Sequence, residues 1–321
     1  MSHQVPHPGV PSPQLFLAGA TASGKTAVAL ELARPLDAEI VSVDSRQVYR
    51  DLDVGTAKPT AAEQARARHH LVDCLEIDEL CSAGRFRDLY RAVLLDLARR
   101  GRPALAVGGT GLYWEACTRG LHVLPPIDPE VRASVERFTR DHGVAASYER
   151  LRELDPSGAA GVPERNRQRV MRALELVTQA GRPLADLFRG EREGRVHPPI
   201  PSFVLQRERA DLYARIDRRC EQMLADGLLE ETRRLLERGL AADAPGMRTL
   251  GYREMAEHLR GETTWDEARD RFLRHSRQYG KRQETWFRHR LAGAVTIAVS
   301  AEDPPESVAG RILSLVADAG S

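Results

Sequence analysis

The sequence predicts an α/β fold, a parallel sheet with helices on both faces plus an inserted helical subdomain. Three observations predict it. Short apolar runs alternate with helically spaced segments from residue 15 to 118, as chains of strand–helix–strand units do. The first run enters GATASGKT at 19–26, which fits the phosphate-binding pattern G-x-x-x-x-G-K-[ST]. The strand signal then vanishes from about 128 to 192 and returns at 201.

Each element follows from its residues. LFLA (15–18) is a strand, and KTAVALELARPL carries Val28, Leu32 and Leu36 at helical spacing. AEIVSVDS, from 38, gives a second strand, and HHLVDCLEI (69–77) a further one. Ser82 caps a helix running to about Arg100. GRPALAVGGTGLY is a strand ending in glycines, then a second loop and helix. DPEVRASVERF, SYERLRELD and RNRQRVMRALELVTQAG are helices separated by Gly and Pro. PSFVLQ (201–206) returns to the sheet, and amphipathic helices follow in ADLYARIDRRCEQMLADG, LLEETRRLLERG and 264–289. AVTIAVS is a late strand, and a last helix starts at Glu306. The expected organisation is a disordered tail at 1–13, a P-loop NTPase-like core at 14–126 and 201–321, and the helical subdomain at 127–200.

Composition bounds the function. At 321 residues, 42% hydrophobic and 29% charged, the chain reads as soluble and globular. Four scattered cysteines (Cys74, Cys81, Cys117, Cys220) include no C-x-x-C pair, which argues against a zinc site or a disulfide framework and for a reducing cytoplasm. No run of 18 apolar residues and no cationic, then apolar, leader suggests a membrane.

In Gly19, Ala20, Thr21, Ala22, Ser23, Gly24, Lys25 and Thr26, the glycines let backbone N–H groups converge on phosphate oxygens at a helix N-terminus. Lys25 reaches the phosphates and Thr26 can hold Mg2+. Such a loop recognises a diphosphate, whatever organic group it carries. Phosphate-loop hydrolases usually place a second acid at the end of an apolar strand, but ALAVGGTG ends in glycines and a threonine. The acid sits instead at Asp44, which closes the second strand and should face the same cleft as Lys25.

Charge is uneven. The net charge is +1, yet residues 271–290 alone carry +6, six Arg and one Lys against one Glu. On a helix, Arg274, Lys281 and Arg288 form a row with Arg277 between them, while Phe272, Tyr279 and Trp286 line another face as core. Arg165, Arg167, Arg169 and Arg172 form a second basic cluster. Two basic surfaces beside one diphosphate site suit a nucleic-acid substrate.

Taken together and in order, GATASGKT, VDSRQVYRDLDVGTAKP, HHLVD, VGGTGLY, NRQRVMRALE, LGYREM and QYGKRQETWFR resemble the bacterial type of the tRNA dimethylallyltransferase family, also called IPP transferases, from residue 15 to about 290. The resemblance implies transfer of a dimethylallyl group from dimethylallyl diphosphate to N6 of adenosine 37 in the tRNA anticodon stem-loop, with Mg2+, by a cytoplasmic monomer. It makes the glycine loop a diphosphate site, although that loop is often described as ATP-binding. It implies Asp44 as general base, Thr110 near the transferring group, and Arg219 with Lys25 steadying the departing diphosphate. It places tRNA contacts on Asp44, Ser45, Arg46, Gln47, Thr110, Arg132, Gln168, Arg169, Val170, Met171, Arg172, Arg248, Thr249, Leu250, Gly251, Tyr252 and Arg253, with the helical subdomain clamping the RNA. Ala20, Ser276 and Gly280 depart from the family's frequent Pro, Thr and Ala, and Gly280 is expected to weaken its helix by up to ~1 kcal/mol. The competing readings are a P-loop small-metabolite or nucleotide kinase, and an RNA-binding regulator with a vestigial loop.

Overall fold

The computed structural model describes residues 15–190, 192–196, 200–291 and 293–319. The tail expected at 1–13 lies outside the described residues. The chain forms two compact units, one of residues up to Thr118 together with those from Arg195, the other Arg119–Gly194.

The first unit is built on strands β1 (Leu15–Gly19), β2 (Glu39–Val43), β3 (His69–His70), β4 (Ala104–Gly108), and, after the insertion, β7 (Ser202–Gln206) and β8 (Val295–Ala298). They form a six-stranded sheet in the order β3-β2-β4-β1-β7-β8, with every pairing parallel. Alternation along β1 explains the two cores. Leu15 and Leu17 pack with Val28 and Leu32 of helix α1 (Lys25–Ala33) and Val308 and Ile312 of helix α13 (Pro305–Ala319). Phe16 and Ala18 face the other way, onto a larger core. That core is covered by α3 (Ala83–Arg99), α9 (Arg209–Ala225), α10 (Leu228–Glu237), α11 (Tyr252–Leu259) and α12 (Trp265–Arg290). Short α2 (Ala61–Arg66) precedes β3, and α4 (Gly111–Arg119) follows β4. With both faces covered, the strands read as near-continuous apolar runs.

Helix α12 runs 26 residues, about 39 Å. Thr264 and Glu267 close a capping box at its start. Its buried positions Ala268, Phe272, Ser276, Gly280, Gln283 and Phe287 fall every three or four residues. Gly280 has a packing role that propensity alone does not reveal: a Cβ there would sit 2.8 Å from Ile216 Cδ1 on α9. The missing methyl lets the two helices approach, which offsets its propensity cost.

The strand expected over 69–77 is cut to two residues. Leu71 (φ 60°) and Asp73 (φ 54°) adopt left-handed backbone, which ends the extended run. Leu75 returns only as an isolated bridge to Tyr49.

The second unit holds α5 (Pro129–Leu154), α6 (Pro156–Ala160), α7 (Arg167–Ala180) and α8 (Leu184–Leu187) around a core that includes Val135, Leu151, Leu174 and Val177. Gly143 (φ 85°) kinks α5. The unit starts and ends several residues before the expected 127 and 200. Strand β5 (Leu121–His122) pairs antiparallel with β6 (Arg192–Glu193) and ties the two ends of the insertion together.

Candidate active site

The glycine loop leaves the carboxyl end of β1 and turns into α1 through Ala22 (φ 61°) and Gly24 (φ 96°). These left-handed positions let the chain wrap back on itself. The N–H groups of Gly24, Lys25 and Thr26 donate to no backbone carbonyl among the described residues, so they remain for an anion. Not every loop N–H does. Thr21 N–H is committed to Gln283 Oε1 at 2.8 Å, and Ser23 N–H to the Ala20 carbonyl at 3.2 Å. The uncommitted N–H groups therefore lie in the second half of the loop. Its outside is held by two arginines: Arg207 Nε donates to the Ser23 carbonyl and Arg215 Nε to the Ala22 carbonyl, each at 2.9 Å.

Over this half lies a cavity of about 420 Å³ lined by Lys25, Thr26, Glu63, Arg215, Arg218 and Arg219 among others. Arg215, Arg218 and Arg219 share one face of α9 because they stand at i, i+3 and i+4. Lys25 Nζ donates to the Ala20 carbonyl at 3.2 Å. Its ammonium is pulled down to about 8, by burial first and then by the Arg219 charge, against the opposing Asp44 carboxylate. The Arg219 guanidinium is likewise held below its usual value by burial, with Asp44 again opposing. A cavity that strains its own cations in this way favours an incoming anion.

Asp44, at the end of β2, is the carboxylate that both cations sense. Its Oδ1 accepts the N–H groups of Arg46 at 2.8 Å and Gln47 at 3.4 Å. Its Oδ2 accepts no hydrogen bond among the described residues. The neighbouring Ser45 N–H donates to Thr110 Oγ1 at 3.0 Å, so β2 and β4 deliver Asp44 and Thr110 to one place. Tyr279, from α12, joins them: burial, then the Asp44 carboxylate, pushes its phenol up to about 12. The glycines of VGGTG are needed for this closeness. An added Cβ would lie 2.1 Å from the Val43 carbonyl oxygen at Gly108 and 2.2 Å from the Trp286 ring at Gly111.

The other residues singled out from the sequence divide. Arg46 Nη1 donates to the Pro245 carbonyl and Gln47 Nε2 to the Ala57 carbonyl, so both brace the loop after β2. Arg248 is exposed, and Arg253 pairs with the buried Glu254. Thr249 and Tyr252, also expected to touch RNA, spend their side chains inside the protein. Thr249 Oγ1 donates to the Gly246 carbonyl, while Tyr252 is 0% exposed and donates to Glu231. Gly251 is buried and Leu250 half-buried against the core. In the helical unit, Arg132, Gln168 and Arg169 are exposed, and Arg172 pairs with Glu175 at 3.3 Å. Val170 is fully buried there and Met171 packs against the core, so Val170 offers no side chain to a ligand either.

Sequence reasoning missed Arg215, Arg218, Glu63 and Gln283. The i, i+3, i+4 spacing of Arg215, Arg218 and Arg219 carried a signal. Gln283 lay within the QYGKRQETWFR stretch but, like Glu63, carried nothing that tied it to the loop, because only the tertiary fold brings the two there.

Known proteins match this architecture along the chain. The IPP transferase family profile covers residues 47–290. A tRNA dimethylallyltransferase of Roseiflexus sp. is 44% identical over 92% of this chain and 96% of its own length. Among solved structures, the full-length tRNA isopentenylpyrophosphate transferase of Bacillus halodurans aligns with a TM-score of 0.69 at 34% identity, over 97% of this chain and 98% of that one. The Staphylococcus epidermidis tRNA isopentenylpyrophosphate transferase aligns at 0.66 and 28% identity, over 96% of this chain and all of its own. A glycine loop under an arginine-lined cavity, with a strand-end carboxylate beside it, is thus the site of a chain that belongs to the IPP transferase family.

Proposed function

We propose that the protein transfers a dimethylallyl group from dimethylallyl diphosphate to N6 of adenosine 37 in tRNA. The observation that carries this reading is that Lys25 and Arg219 line one cavity over the glycine loop and both feel the attraction of the Asp44 carboxylate at the end of β2, which sets a proton acceptor near an anion cradle. The adenine N6 lone pair is delocalised into the ring, so attack is helped by loss of a proton. In the reaction N6 bonds to the allylic carbon, the carbon–oxygen bond to the diphosphate breaks, and the N6 proton passes to Asp44 Oδ2. Such general-base help contributes ~10²–10⁴ in rate. Lys25, Arg215, Arg218, Arg219 and the loop N–H groups stabilise the charge that builds on the leaving diphosphate.

The donor set also fits Mg2+. Thr26 and Glu63 line the cavity with a hydroxyl and a carboxylate, the hard oxygen ligands that Mg2+ takes. Thr26 and Glu63 would hold the ion together with oxygens of the diphosphate. When bound, it adds positive charge against the leaving group.

The acceptor adenosine must leave its stack to reach this cleft. Exposed Arg132, Gln168, Arg169 and Arg248 serve as contacts to the anticodon stem-loop, and phosphate contacts of this kind position an RNA without reading it. The protein acts as a cytoplasmic monomer in this reading.

The test is incubation of the purified protein with Mg2+, dimethylallyl diphosphate and a tRNA bearing A36-A37-A38, followed by nucleoside mass spectrometry. The expected product is N6-(dimethylallyl)adenosine. Phosphoryl transfer from ATP to a small acceptor with no RNA present would instead establish the kinase reading.

A further inference from the structure

Gln283 of α12 is 6% exposed and uses both ends of its amide. Oε1 accepts Thr21 N–H at 2.8 Å and Nε2 donates to the Gly109 carbonyl at 3.0 Å. The partners fix the amide's orientation, since one is a donor only and the other an acceptor only. They belong to the two loops that leave the paired strands β1 and β4 at their carboxyl ends. One loop holds the phosphate cradle, and the other continues into Thr110, which meets Ser45 beside Asp44.

The surroundings are shaped for this bridge. A Cβ on Gly109 would lie 2.3 Å from Gln283 Nε2 and 3.2 Å from the Gly19 carbonyl oxygen, so only glycine admits the amide between the loops. Tyr279 and Trp286 flank Gln283 at i−4 and i+3 on the same helix. Tyr279 senses Asp44, and Trp286 packs against Gly111. A single helix face thus touches both loops, and Gln283 is its hydrogen-bonding centre.

We propose that Gln283 is a positioning residue that sets the spacing between the diphosphate loop and the Thr110–Asp44 side of the cleft. The proposal rests on the prenyl-transfer reading for its kinetic expression, though not for its geometry. In-line attack needs the allylic carbon and N6 in near contact, and each is held by a different loop. A displacement of about 1 Å between the holders costs roughly a hundredfold in rate. Neither substrate's own contacts need change.

The test compares Gln283→Met, which keeps length and loses both hydrogen bonds, with Gln283→Glu, which keeps the acceptor for Thr21 and loses the donor to Gly109. The expected result is a kcat lowered about a hundredfold in both, with the KM for dimethylallyl diphosphate, the Kd for inorganic diphosphate and the tRNA affinity within about threefold of the parent. Hydrogen exchange should rise in peptides spanning 19–26 and 108–113 in Gln283→Met, and only in the second in Gln283→Glu. A folded Gln283→Met protein with kcat within threefold of the parent would overturn the proposal. So would a diphosphate or tRNA affinity that falls as far as kcat, which marks a binding or merely structural role. An inactive parent would instead sink the prenyl-transfer reading, and the exchange pattern then decides the bridge alone, unchanged exchange in both loops refuting it.

Discussion

At Asp44 two demands on one carboxylate are divided between its oxygens. Oδ1 is tied by backbone N–H groups of Arg46 and Gln47, which holds the group in place, while Oδ2 accepts no hydrogen bond among the described residues and is the proton acceptor of the proposed reaction. Asp44→Asn keeps the anchoring oxygen and removes the proton acceptor. It is expected to lower turnover by ~10²–10⁴ and to leave tRNA affinity near the parent value, as single-turnover assays and filter binding will measure. Lys25 gives a pH signature. Its folded value lies near 8 instead of 10.5, and a bound diphosphate raises it again, so binding takes up a proton. Diphosphate affinity is therefore full below pH 8 and declines as pH rises above it. Calorimetry at pH 8.5 in buffers of different ionisation heat should register that proton uptake. The sign is opposite for folding of the empty protein, whose stability gains between pH 8 and 10.5, where the unfolded chain alone still holds the Lys25 proton. The residues of the loop and Asp44 were legible in the sequence because each is local: a spacing, or a strand end. Glu63 and Gln283 were not: Gln283 stands 262 positions from Thr21 and meets the loop only through the packing of α12, and Glu63 reaches the cavity only where the short α2 comes to lie beside it.

Among the elements, β2 and β4 converge most tightly. Gly108→Ala would bring a methyl to 2.1 Å from the Val43 carbonyl oxygen, which is backbone and cannot swing away. A loss of about 1–3 kcal/mol is expected, the usual cost of overpacking, together with lost activity because Thr110 follows two residues later. Urea unfolding measures the first, and an unchanged midpoint would mean that the strands separate more readily than their register suggests. Long helices and buried strands were readable from their periodicity. Shorter pieces escaped: β5 and β6 have two residues each, too few to show alternation, and the eight residues of α11 (Tyr252–Leu259) begin after a buried Gly251 at φ 92°. The aromatic row of α12 was only partly core. Phe272 is buried, whereas half-buried Tyr279 stands beside Asp44.

At the scale of the whole molecule, charge matters more than its near-zero total implies. Arg269, Arg271 and Arg277 of α12 are neutralised by Glu221, Glu257 and Asp217. Arg274, Lys281 and Arg288 are exposed and take no ion pair among the described residues. If these three meet RNA phosphates, replacing them with Gln lowers the slope of log affinity against log salt by about 2–3. Titrating an anticodon stem-loop across salt concentrations decides this, and an unaltered slope would reduce the row to a solvated face. The sheet's outer limit has a different consequence. Because the backbone turns left-handed at Leu71 and Asp73, the terminal strand stops after two residues. So short a ribbon presents few unpaired amides and carbonyls for a stranger's chain to zip onto. The same twist that frustrates strand growth therefore guards the protein against aggregation along that border.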